Sequence, residues 1–74
     1  DYVGETPLYA ACKKGYETIV RYLVKHGADI NKENSYNETP LFSACESGNE
    51  DIIKFLIEKG ADINKENYHK ESPL

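Results

Sequence analysis

With 74 residues the chain has room for one small domain, and a domain of this size buries only about 60% of the surface its unfolded form exposes. Thirteen acidic residues against nine basic ones give a net charge of −4, which opposes a phosphate backbone and argues against nonspecific nucleic-acid binding. No apolar run approaches the roughly 20 residues that cross a bilayer, and the N-terminus lacks the basic and apolar regions of a secretory signal. A soluble chain in a cytoplasmic, intracellular setting with reduced thiols is expected, with no cofactor.

In chain order, Thr6 stands ahead of Pro7, where its hydroxyl can accept an orphan amide while the proline occupies the first helical position. Leu8, Ala10, Ala11 and Cys12 follow as a short helix of small residues that ends before Gly15. Ile19, Val20, Leu23 and Val24 then recur at helical spacing, among Glu17, Arg21 and Lys25, and predict a longer helix with one buried stripe. Gly27 ends it, since glycine accepts φ > 0 without a Cβ clash. Asp29, Asn31, Asn34 and Asn37 favour turns by bonding their own backbone, so a hairpin-like loop is expected. Lys32-Glu33-Asn34 falls in that loop rather than in a charged linker.

Thr39-Pro40 then opens a second short helix with Leu41, Ala44 and Cys45, and Ile52, Ile53, Leu56 and Ile57 form the stripe of a second long one. Asn49 is placed to cap it, and Glu50 and Asp51 suit its positive end. Gly60 closes the helix, and Ser72-Pro73-Leu74 begins the pattern again. Helices shorter than about 12 to 15 residues are marginal alone in water, so stacking must hold these together.

The whole chain therefore repeats with a period of 33 residues: GADINKENSYNETPL over 27–41 returns as GADINKENYHKESPL over 60–74, and about half of all the paired positions are identical. A period of this length carrying T-P-L near its start and G-A-D-I-N near its end resembles the ankyrin repeat. Residues 1–33 and 34–66 match complete repeats, and 67–74 the opening of a third. Tyr9 and Phe42 stand where the family usually has His after T-P-L, and Tyr16 and Asn49 where it often has His after the first Gly. The resemblance implies an all-α solenoid of stacked antiparallel helix pairs joined by hairpin-like loops, in one domain.

Chemistry has little support in the residues themselves. Cys12 and Cys45 fall at the same place in adjacent repeats; stacked helices lie about 8 to 10 Å apart, whereas a disulfide needs Cα atoms within about 7 Å. Buried structural thiols are expected, a bridge or a metal site being the other reading. His26 and His69 occupy different repeat positions with no ligand-spaced partner, and the carboxylates form no nucleophile, base and orienting group. No catalytic residue is assigned.

Positions that vary within the fixed frame are free to specify a partner. They are Tyr2, Val3, Ser35, Tyr36, Tyr68 and His69 in the loops, and Lys13, Lys14, Glu46 and Ser47 in the short helices. In ankyrin arrays the loop tips and the exposed side of the short helices commonly form a concave partner-binding surface, so the resemblance implies a protein-binding module with these residues in contact. The alternatives are a structural spacer within a longer array and an enzyme whose catalytic part lies elsewhere. The family also includes substrates of an asparaginyl hydroxylase that favours Asn after an Asp-aliphatic pair with Leu eight residues upstream; Asn31 and Asn64 fit, although the same residues are structural consensus. The chain starts at Asp1 without Met and stops within a motif, so an excerpt of a longer protein is expected. Neither end shows the polar outer face of a terminal repeat, so further repeats, or end-to-end self-association, are expected to cover them.

Overall fold

The computed structural model describes residues 5–67 and 69–73. It is all-helical among these residues, with α1 (Pro7–Lys14), α2 (Glu17–Lys25), α3 (Pro40–Ser47) and α4 (Glu50–Glu58) in two successive hairpins. The short helices α1 and α3 pack most closely on each other, each also packs on the long helix that follows it, and α2 and α4 meet more loosely.

The helix ends follow from their residues. Thr6 Oγ1 accepts from the Tyr9 amide at 3.1 Å and Pro7 fills the first turn, while Asn49 Oδ1 accepts from the Ile52 amide at 3.1 Å to start α4. After α2 the chain turns at Gly27, φ 92, where the Ala28 amide reaches back to the Leu23 carbonyl at 3.0 Å. Gly60, φ 98, and the bond from Ala61 to Leu56 repeat this closure after α4. Thr39 departs from expectation. Its hydroxyl caps nothing and is buried without a partner, because the Phe42 amide bonds the Thr39 backbone carbonyl at 2.9 Å instead.

The core gathers Leu8, Ala11, Cys12, Val20, Leu41, Ala44, Ile52, Phe55, Leu56 and Ala61. Two residues assigned to buried stripes are in fact surface groups: Ile19 is 47% exposed and Ile57 40%. Leu23, Val24 and Ile53 are half-buried. The cause is position in the stack rather than helical phase. Ile52, one repeat after Ile19, is fully buried, and Phe55 is 8% exposed where its equivalent Tyr22 is 61% exposed. Repeat one packs on α4 from that side, whereas Ile19 and Tyr22 of α2 stay exposed.

Bonds between repeats reinforce this stacking. The Ser43 hydroxyl donates to the Tyr9 carbonyl at 3.0 Å. The Asn31 side chain donates to the Gly60 carbonyl at 3.3 Å and accepts from the Asp62 amide at 2.9 Å. Lys65 Nζ meets Glu33 at 2.7 Å, and that hydrogen bond raises the lysine pKa.

Candidate functional site

Each inter-repeat loop is closed by one buried asparagine. Asn34 Oδ1 accepts from the amides of Tyr36 at 2.8 Å and Glu38 at 3.0 Å, and the Asn34 amide donates to the Glu38 carbonyl at 2.9 Å. Asn67 makes the same bonds to His69, at 2.8 Å, and to Glu71, at 3.0 Å through each group. Asn37 and Lys70 adopt left-handed backbone, φ 63 and 61, which lets so short a loop turn back. A hydrogen-bonded frame of this kind holds whatever side chain stands at the tip.

Glu38 joins three segments. Its Oε1 accepts from the Tyr9 hydroxyl at 3.1 Å and from Asn34 Nδ2 at 3.3 Å, and its Oε2 accepts from Asn67 Nδ2 at 3.2 Å. Burial, and then the Glu38 charge, hold the Tyr9 phenol well above its ordinary pKa. Neither Glu38 nor the asparagines stand among the sequence-derived contact residues; a polar residue identical in successive loops was the signal for them. Tyr9 supplies the hydroxyl that ties the first repeat to this carboxylate.

Against this frame Tyr36 stands half out of the protein, 50% exposed at the tip, and His69 occupies the equivalent exposed position one repeat on. Ser35 is also exposed at the tip. Lys13 and Lys14 are exposed at the end of α1, with Lys13 Nζ 3.5 Å from Glu5. Glu46 lines a groove of about 280 Å³ with Glu38, Phe42, Cys45, Glu71, Ser72 and Pro73. Ser47 does structural work: its hydroxyl donates to the Ala44 carbonyl at 2.9 Å and the Cys12 carbonyl at 3.3 Å. Tyr2, Val3 and Tyr68 lie outside the described residues.

The Cys12 thiol is buried and free, with its pKa pushed up to about 12 by burial; Cys45 is free, half-buried and raised for the same reason. Among the described residues no cluster of three His, Cys, Asp or Glu could hold a metal, and no helix is long and apolar enough to cross a membrane. Asn31 is engaged between repeats, as above, whereas Asn64 uses its backbone amide to bond Asp62 Oδ1 at 2.9 Å. A family model described as ankyrin repeats, in three copies, matches residues 1–67.

Proposed function

Because the chain belongs to the ankyrin-repeat family, whose members are generally protein–protein interaction modules and typically not enzymes, we propose that it binds a partner protein through its loop tips and short-helix face. The observation that carries this reading is Tyr36: a large amphipathic side chain, half exposed, on a loop fixed by the Asn34 bonds. A ring held out in advance loses little entropy on binding, which is what interface tyrosines supply. Ser35 and His69 extend the contact along the loops, as do Tyr2, Val3 and Tyr68 in sequence register. Lys13, Lys14, Glu46 and Ser47 extend it along the short helices, where mixed charge suits a partner of complementary pattern. Hydrogen exchange on the chain, free and bound to a partner protein that it captures, tests this. Protection is expected over 35–37, at 13–14 and 46–47, and at His69; protection confined to α2 and α4 overturns it.

The exposed side of α2 favours a second contact. Ile19, Tyr22 and half-buried Leu23 present the face that, in the next repeat, α4 buries as Ile52, Phe55 and Leu56, so a further repeat or another copy is the fitting neighbour. Light scattering over a concentration series of the isolated chain is expected to show association, and a monomer throughout argues against self-association. Asn64 and Asn31 are the proposed hydroxylation positions, with Asn64 favoured because the Asn31 amide is engaged with Gly60 and Asp62. Intact mass after incubation with an asparaginyl hydroxylase decides it: a gain of one oxygen is expected, and an unchanged mass rejects the idea.

A further inference from the structure

We propose that the groove between α2 and α4 is a second docking site, one that takes an acidic peptide segment of a partner protein. The groove, of about 360 Å³, is lined by Arg21, Val24, Lys25, Phe55 and Lys59. Three of these are cations and none is an acid, in a chain whose net charge is −4. It opens because the long helices meet more loosely than the short ones.

Phe55, 8% exposed, belongs to the core and forms the floor. The Arg21 guanidinium carbon lies 4.6 Å from the ring centroid and Lys59 Nζ lies 5.7 Å from it, so both cations are drawn to the aromatic face. Arg21 Nε also donates to Glu17 at 3.0 Å, which orients the side chain, and its terminal amines make no hydrogen bond to a carboxylate among the described residues. Lys25 and Lys59 likewise have no carboxylate within ion-pair distance among those residues. Cations at helix C-termini suit the dipole, yet the position equivalent to Lys25 in the next repeat is Glu58, so the repeat itself demands no cation there.

Carboxylates match this arrangement on two grounds. A guanidinium fork bonds them in bidentate geometry, and an anion relieves the mutual repulsion of three cations gathered in one groove. Val24 and Phe55 offer apolar surface between the cations, so an acidic segment with one apolar side chain fits best. None of Tyr36, Lys13, Lys14 or Glu46 lines this groove, so the site is independent of the loop and short-helix face.

The test is a nuclear magnetic resonance titration of the isotope-labelled chain with the acetylated peptide Glu-Glu-Leu-Glu-Glu and, in parallel, with Gln-Gln-Leu-Gln-Gln. Resonances of Arg21, Val24, Lys25, Phe55 and Lys59 are expected to shift with the acidic peptide only. Added salt is expected to reverse the shifts, and the Lys25→Gln, Lys59→Gln double variant to bind at least about fivefold more weakly. Equal response to the two peptides, shifts confined to the loops and short helices, or no shifts at all would each overturn the proposal. Should the double variant lose its fold, the peptide pair and the salt series on the unaltered chain decide the question.

Discussion

Thr6 and Thr39 stand at the same place in successive repeats, yet one hydroxyl caps a helix and the other is buried with nothing to bond. Removing a working cap costs about 0.5 to 2 kcal/mol, whereas removing an unsatisfied buried hydroxyl relieves a desolvation penalty of about 1 to 3 kcal/mol. Urea melts should therefore show Thr6→Ala destabilised and Thr39→Val unchanged or more stable. Cys12 and Tyr9 carry a second prediction at this scale. Their folded pKa values lie above the ordinary 9.0 and 10.0, so above about pH 9 the unfolded chain sheds protons that the folded chain keeps. Stability is fully present below that pH and falls as pH rises toward the folded values. Thermal melts from pH 7 to 11 should decline accordingly, with a shallower decline in Cys12→Ala; a flat profile contradicts the burial of both groups.

For the helices, the contrast between copies decides the energetics. Leu56 is fully buried beneath the first repeat, and its equivalent Leu23 is half-buried on the open side of α2. Leu56→Ala should cost about 2 to 5 kcal/mol, and Leu23→Ala less, since part of its side chain already meets water. Equal losses in urea melts would mean that the open face of α2 is covered in solution. The helices, their glycine ends and the Asn49 cap were legible in the sequence because each depends on residues within a few positions. Which copy of a stripe is buried was not legible: Ile19 and Ile52 are the same residue in the same local pattern, and only the neighbour in the stack separates them. The role of Glu38 was hidden for the same reason, since its partners Tyr9 and Asn67 come from two other repeats.

Over the whole molecule, two faces differ in character. The loop and short-helix face carries Tyr36, His69 and mixed charge, while the groove between the long helices is lined by cations around Phe55. Their residues differ between repeats, at Lys13 against Glu46 and at Lys25 against Glu58, within a frame of repeated glycines, leucines and asparagines. Variation against a fixed frame marked candidate contact positions in the sequence, and the loop that carries Tyr36 is closed by local Asn34 bonds, whereas the bond of the Ser47 hydroxyl to the Cys12 carbonyl follows from packing between repeats. The direct measurement of the central claim is a calorimetric titration of the captured partner into the chain and into Tyr36→Ala. Truncating an interface tyrosine should weaken binding by about 1 to 2 kcal/mol, while a melting transition is kept because Tyr36 stands half exposed at the loop tip, outside the core. Unchanged affinity for a variant that keeps its fold would contradict the assignment of the loop tips as the binding surface.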